Sequence, residues 1–401
     1  MSRFHHFNWT RRACYFGYVA QAITINFAPL LFLTFEDQFG LDLSQISLLI
    51  GVNFSIQLLT DMLSAKFLDH IHPRAATLAA HLCVAAGLVG LATLPFLLPS
   101  PLAGLLVSVV FCGIGGGLTE VLISPIIEAC PFENKASSMS LLHSFYCWGQ
   151  AGVILVSVAF FALFGIEHWR ILSCLLAIEP LLGALLFTAV PLAPIGREAG
   201  GPSAREVISH RLFLPLLLMI AASGASEQVM SQWASSFAES GLGVSKTVGD
   251  LLGPCLFAVL MGSARVLYAK LSDKIDLLPV VAASGVLCIL SYLLAALAPN
   301  PVVALLGCGL CGLSVGVLWP GTYSLAAARI PGAGVSMFAL LAIGGDLGCL
   351  LGPTLAGKVA DAAGGSIGAS FIFSTVFPAL LLVAALLVFL LTRKSRKKEM
   401  D

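Results

Sequence analysis

Charge is scarce in this chain. Its 401 residues include 21 Lys and Arg and 21 Asp and Glu, so only 10% are charged and the formal net charge is zero. Soluble domains carry about 25% charged residues. With 58% of its residues hydrophobic, the chain has more apolar surface than a soluble fold of this size can hide, so its solvent is lipid. The zero net charge removes the electrostatic basis for binding nucleic acid. Metal patterns are lacking too. No Cys-x-x-Cys pair stands beside a matching His or Cys pair, and most of the eleven cysteines, Cys83, Cys112, Cys288 and Cys308 among them, lie inside apolar runs as small buried side chains. There is no HExxH and no evident nucleophile–base pair. A metal, a cofactor and an intramembrane enzyme are therefore not expected. No appended soluble domain stands out either, and both tails are short, which argues against a sensor or scaffold.

What is present is a series of apolar runs long enough to span a bilayer, for which about 20 residues suffice. Between loop signals the spans fall at about 12–35, 45–68, 74–96, 102–129, 136–164, 167–190, 211–236, 247–271, 277–297, 301–328, 333–357 and 367–391. Breaks lie at Pro99-Ser100-Pro101, Pro299-Asn300-Pro301, Pro331-Gly332 and Gly364-Gly365. The first run has Arg3, Arg11 and Arg12 before it but no small-residue cleavage site after it, so it reads as a retained span rather than a signal peptide. The longest polar stretch, Pro191 to His210, lies at the midpoint. It divides the chain into an N-terminal bundle of six helices (1–190), a linker (191–210) and a C-terminal bundle of six (211–401). With the N-terminus inside, seventeen Lys and Arg fall on cytoplasmic segments and three, Arg170, Lys246 and Lys358, on external ones. The positive-inside rule then puts both termini in the cytoplasm.

The halves repeat. A shift of 204 residues lays Ala65-Lys66-Phe67-Leu68-Asp69 on Ala269-Lys270-Leu271-Ser272-Asp273. A shift of 199 lays Cys112-Gly113 on Cys311-Gly312, Gly117 on Gly316, Ser137 on Ser336, Leu141-Leu142 on Leu340-Leu341 and Gly149 on Gly348. Parallel repeats of six helices place a substrate site between the halves near the midplane, worked by alternating access. The expected fold is an all-α membrane protein with twelve transmembrane helices in two pseudo-symmetric six-helix bundles.

This arrangement resembles the major facilitator superfamily. In that superfamily the loop after the second helix carries Gly-x-x-x-Asp-Arg/Lys. Here Ala65 replaces the glycine and Asp69-His70 replaces the acid–base pair; the second copy, Ala269 to Asp273-Lys274, is nearer the pattern. Gly117-Leu118-Thr119-Glu120 with Pro125, then His143-Ser144-Phe145-Tyr146-Cys147-Trp148-Gly149, is similar to the fucose-permease-like branch of sugar:proton symporters. In that branch the helix-4 glutamate carries a proton within a sugar site, and Glu120 stands in its place. Arg265 resembles the branch's helix-8 arginine, and Gly224-Ala225-Ser226-Glu227 a glycine–acid pattern on helix 7. The branch's helix-1 aspartate is missing: Pro29 stands there, with Asn26 matching a nearby asparagine.

Ionisable residues inside spans cost roughly 2.5–3.5 kcal/mol each on insertion scales. The chain places Asp61, Glu120, Glu179, Glu227, Arg265 and Asp346 there, with Glu128 nearer a helix end, so they should face a wet cavity or one another. Counted from the helix ends at about 1.5 Å per residue, Glu120, Glu227 and Asp346 fall near the midplane. Asp61, His143 and Arg265 fall nearer the cytoplasm. Glu120 is the leading proton carrier, with Glu227 second. Arg265, always charged, needs an anion: a fixed ion pair, a gate that exchanges carboxylates, and an anionic substrate all remain open. Asn53, Gln57 and Asp61 share one face of helix 2, suited to interhelical bonding or a cavity. Glu227 is followed by Gln228, Gln232 and Trp233; Trp319 and Tyr323 sit four apart on helix 10. An aromatic platform facing amides and acids fits a sugar, whose C–H face is apolar and whose rim is polar, though packing explains the rings equally. The expected substrate contacts are Asn26, Glu120, His143, Glu227, Gln228, Trp319 and Tyr323. The expected gate or ion-pair network is Asp61, Asp69, Arg265, Asp273 and Asp346. Glu179-Pro180 marks a kink or a helix contact, and the Gly113-Gly117 and Gly312-Gly316 pairs mark close helix packing.

The leading expectation is a monomeric proton-coupled symporter for a small, neutral, sugar-like solute. The resemblance implies a bacterial inner membrane. The alternative is an efflux carrier, exchanging protons for lipophilic or cationic compounds with the same acids as counter-charges.

Overall fold

A computed structural model describes residues 6–67, 72–132, 135–193, 204–271, 276–330 and 334–400. Among them there is no strand, and twelve helices are long and apolar enough to cross a membrane. They are α1 (Phe7–Phe39), α2 (Leu43–Ser64), α3 (Pro73–Leu97), α4 (Pro101–Ile127), α5 (Leu141–Phe164), α6 (Ile166–Ala189), α7 (Phe213–Gly241), α8 (Lys246–Tyr268), α9 (Leu277–Leu297), α10 (Pro301–Ala326), α11 (Leu340–Ala362) and α12 (Ile367–Arg393). An even number of spans puts both ends of the chain on one face, called here the terminal face.

Four spans are interrupted, each for the same reason. A proline lacks the amide hydrogen and its ring clashes with the carbonyl four residues earlier. Pro29, Pro180, Pro320 and Pro378 stand four residues after Ile25, Leu176, Gly316 and Ser374. Regular α-helix stops there, at Asn26, Leu176, Val315 and Ser374 respectively. Glu179, beside Pro180, thus opens the second segment of a broken α6. The end of α7 and the start of α8 each relax into a wider π-turn, Phe237–Gly241 and Leu251–Cys255, the second around Pro254.

The halves pack by the same plan. α1 lies on α5 and α6 as α7 lies on α11 and α12; α2 lies on α4 as α8 lies on α10; α3 lies on α4 and α6 as α9 lies on α10 and α12. Glycines set the closest approaches. A Cβ at Gly113 would lie 2.8 Å from the Asn53 carbonyl, and one at Gly117 3.0 Å from that of Gln57. In the second half Gly312 abuts the Phe257 carbonyl and Gly316 that of Met261. Asn53 and Phe257, like Gln57 and Met261, are 204 residues apart, so the repeat holds down to single carbonyl contacts. The same arithmetic places Asp61 and Arg265 at equivalent positions, one acid and one base. Between the halves, α2 runs along α11 and α5 along α8. On the face away from the termini α2 and α11 touch closely, Gly51 against Thr354 and Ser47 against Gly357.

Candidate functional site

The buried polar groups gather into two clusters near the interface between the halves. In the first, Asp61 of α2, Glu120 of α4 and Asp346 of α11 bring carboxylate oxygens within 4.8 Å of one another. Gln21 of α1 donates from Nε2 to Glu120 Oε2 at 2.9 Å. Tyr18, one turn before Gln21, bonds Ser124 of α4 at 3.0 Å. Tyr323 of α10 interacts electrostatically with all three acids. Two unit charges about 4.8 Å apart repel by about 3–4 kcal/mol at an effective dielectric of 20. Asp61 and Asp346 are buried and Glu120 is partly exposed, so three ionised carboxylates at that spacing require positive charge, a proton included, among them.

In the second cluster Arg265 of α8 donates from one guanidinium nitrogen to Glu227 Oε2 of α7 at 3.0 Å and from another to the His143 carbonyl of α5 at 3.3 Å. Both side chains of the pair are under one-tenth exposed, so each charge relies on the other. The sequence left open which anion Arg265 meets; the structure gives it Glu227. The His143 ring packs edge-on to Tyr18, centroids 5.2 Å apart.

A chain of neutral hydrogen bonds joins the halves beside this pair. Gln150 of α5 donates to Ser231 of α7 (2.9 Å), Ser231 donates to Asn26 of α1 (3.0 Å), and Asn26 donates to Tyr146 of α5 (3.3 Å). Gln232 donates to the Ile25 carbonyl and to Gln228.

The depth ordering read from the sequence does not hold. Asp61 meets Asp346 and Glu120, and Arg265 meets Glu227, although counting from helix ends set each pair at different levels. The helix that contains α11 begins at Gly334 and runs 29 residues, about 43 Å against a core of about 30 Å. Its first turns overhang the hydrocarbon, so counting from its end overstates the depth of Asp346. Arg265 reaches its partner on a long flexible stem.

Other sequence-derived candidates are placed as follows. Asn26 and Gln228 belong to the inter-half chain. The Trp319 indole lies against Gly224 of α7 and Gly345 of α11, where any Cβ would collide with it, and is 6.1 Å from the Tyr323 ring. It is thus a wedge among three helices. Asn53 Oδ1 and Gln57 Nε2 are buried without a hydrogen-bond partner. Asp69 and Asp273, and the linker residues 194–203, lie outside the described residues.

Tyr18, Gln21, Tyr146, Gln150 and Ser231 were not singled out from the sequence. The signal was available: His143, Tyr146 and Gln150 lie at i, i+3 and i+7 on α5, and Glu227 and Ser231 at i and i+4 on α7. Also missed was a network on the far face, where Lys246 binds Glu239 (2.9 Å) and Asp250 (3.2 Å) and Ser235 donates to Asp250 (2.5 Å). Glu239, Lys246 and Asp250, with Asp37 and Thr34 of α1 and Phe161 of α5, line a cavity of about 340 Å³ between the halves.

With the fold and these clusters described, the comparisons with known proteins assign the family. The chain matches the Major Facilitator Superfamily over residues 14–336 and, in a second match, 256–400; it belongs to that superfamily, and it is a transporter rather than an enzyme. A bacterial homologue of the human lysosomal transporter Spinster, inward-facing and occupied, superposes with a TM-score of 0.73 at 18% identity, covering 96% of this chain and 97% of that one. A D-xylose–proton symporter gives 0.75 at 17% identity, covering 95% and 97%. The Escherichia coli fucose:proton symporter gives 0.66 at 16% identity, covering 96% and 98%. At such identities the likeness is one of fold. No curated protein matches the chain in sequence.

Proposed function

We propose that this transporter carries a small neutral polar solute, sugar-like in its hydroxyl pattern, together with protons. The observation that carries this reading is the line of neutral donors and acceptors across the interface, Gln150–Ser231–Asn26–Tyr146 with Gln232 and Gln228. Groups that bond one another across two halves are groups a polyhydroxylated solute can bond instead. Such a solute needs no formal charge, because Arg265, the one buried cation there among the described residues, is already matched by Glu227. The xylose–proton and fucose–proton symporters among the similar folds agree with this chemistry.

Under this reading the two leading acids part roles. Among the described residues Glu120 bonds the neutral amide of Gln21 and no cation, so it is the proton carrier. Glu227 holds Arg265 and positions solute with Asn26, His143 and Gln228, while Trp319 and Tyr323 wall the C-terminal side. Asp61 and Asp346, facing each other across α2 and α11, sit where a gate between the halves operates. The membrane is a bacterial plasma membrane with both termini in the cytoplasm, the bundles being 1–190 and 211–401 about a linker at 191–210.

The test is proton flux in proteoliposomes containing a pH dye, with a panel of neutral monosaccharides added outside. Solute-dependent acidification, absent from Glu120→Gln, is the expected result. Equal flux in both proteins removes Glu120 from the mechanism. No flux with any sugar from a folded, inserted protein overturns the reading and directs attention to efflux of cationic compounds.

A further inference from the structure

The polar stripe on α2 has no counterpart in the second half. Asn53 and Gln57 stand where the repeat places Phe257 and Met261 of α8, so fully buried apolar side chains serve the equivalent seam against α10. Packing alone therefore does not call for amides here. In the first half the seam against α4 is polar and its groups are unmet. Asn53 is 8% exposed and Gln57 2%, and among the described residues Asn53 Oδ1 and Gln57 Nε2 have no hydrogen-bond partner. Asn53 also lines a cavity of about 30 Å³, with Thr24 of α1, Cys112 of α4 and Gln232 of α7 in its wall. A space of about 10–15 Å³ admits one water, so this cavity admits about two. One turn further along α2, the Gln57 amide lies over Gly116 of α4, where a Cβ would stand 3.3 Å from the amide carbon. Glu120 follows Gly116 one turn later on the same face of α4.

We infer that the α2–α4 seam holds a short file of water, ordered by Asn53 and Gln57, that carries protons to Glu120 from the far side of the membrane. Residues one turn apart on a helix have Cβ atoms about 5–6 Å apart, a gap that one water bridges with two hydrogen bonds. That water donates to Asn53 Oδ1 and accepts from Gln57 Nε2. A second water, over Gly116, continues to the Glu120 carboxylate. The proton that enters at the cavity is not the one delivered. Each water gains one O–H bond and loses another, and the last transfer forms the O–H bond of Glu120. Among the described residues Gln232 is the only one in the cavity wall that belongs to the C-terminal half, so parting of the halves on the far face uncovers the file at that end. Neither Asn53 nor Gln57 belongs to the inter-half line of solute contacts, which gives protons a route of their own. The inference rests on the transport reading above, in that it takes Glu120 as the proton carrier.

Water and proton delivery are tested separately on the full-length protein. In lipid nanodiscs, a millisecond X-ray pulse turns bound water into hydroxyl radicals that oxidise the side chains beside it, and mass spectrometry reads the products. Cys112, buried in the cavity wall, should be oxidised, and Cys311, its repeat equivalent in the apolar seam, should not. Asn53→Leu should remove most of the Cys112 oxidation. Unoxidised Cys112 in wild type, or oxidation unchanged in Asn53→Leu, overturns the water file whatever the protein transports. In proteoliposomes, Gln57→Met copies the residue of the second half. It should keep solute counterflow and melt no lower than wild type, because an apolar group of like shape in place of an unmet buried polar one is neutral or stabilising. It should nevertheless lose most of the rate of solute-driven acidification. Gln57→Ser, which leaves room for water, should melt lower than Gln57→Met and acidify faster. A packing role for Gln57 predicts that the better-packed methionine variant is also the faster one, and that order overturns the proposal. So does acidification by Gln57→Met at the wild-type rate, which leaves the symport reading standing. Wild type that never acidifies with any solute, although Cys112 is oxidised as expected, overturns the symport reading and the proton route together, and only the water remains.

Discussion

Glu120 and Glu227 are both acids within the membrane core, and their partners distinguish them. Glu120 rests on a neutral amide, Glu227 on a guanidinium. Glu120→Gln should therefore retain solute exchange down a solute gradient and lose proton-driven accumulation; counterflow and acidification assays on the same vesicles separate the two. The Glu227–Arg265 pair is a matter of stability first. Removing one member of a buried ion pair strands the other and costs about 3–5 kcal/mol, whereas replacing both with neutral groups of similar size is often tolerated. Arg265→Met alone should lower the melting temperature markedly, and Glu227→Gln with Arg265→Met should recover most of the loss. A double variant no more stable than the single one would show that the pair is not the structural unit described. At this scale the sequence was only partly legible. The cost of an ion in lipid pointed to Asp61, Glu120, Glu227, Arg265 and Asp346, because that cost is local to each residue. Which acid meets which base was not legible, because it depends on helix tilt, overhang and side-chain reach. The neutral partners, Gln21, Tyr146, Gln150 and Ser231, carry no comparable cost and went unnoticed.

For the helices, boundaries and breaks follow from local chemistry, and so they were readable. Twenty apolar residues span a bilayer wherever they lie, and a proline interrupts hydrogen bonding four residues back whatever surrounds it. Packing between helices was readable only where the repeat exposed it, through glycines that align at a 199-residue offset. Those glycines are testable. Gly312→Val forces a side chain into the Phe257 carbonyl, and Gly113→Val does the same against Asn53. Overpacking of this kind costs about 1–3 kcal/mol, so both should unfold at lower temperature than wild type. Gly152→Ala on α5 meets nothing within 4 Å and should unfold like wild type. Parity among the three would mean that the helices are not held at the distances described.

The whole molecule is two bundles meeting along α2–α11 and α5–α8. The repeat and the twelve spans made this architecture legible in advance. The closeness of α2 and α11 on the face away from the termini was not, since no local pattern records which end of an interface is shut. That contact can be trapped. A Cβ at Gly357 would lie 3.0 Å from the Ser47 Cβ, slightly inside the usual disulfide range of about 3.5–4.5 Å. With exposed Cys174 replaced by Ser, oxidation of a Ser47→Cys, Gly357→Cys variant should abolish transport, and reduction should restore it. Transport that continues in the oxidised protein would mean that the halves do not part there. The placement of charge within this architecture also has an electrical consequence. Moving one elementary charge across the membrane changes its energy by about 2.3 kcal/mol per 100 mV. Glu227 and Arg265 sit in one bundle, 3.0 Å apart, and travel together as a dipole with no net charge, so the membrane potential does no work on their displacement as a unit. Among the described residues the acids at the α2–α11 seam have no basic bonding partner, and the voltage dependence of the carrier's return step should therefore be set by how many of them are neutralised when it moves.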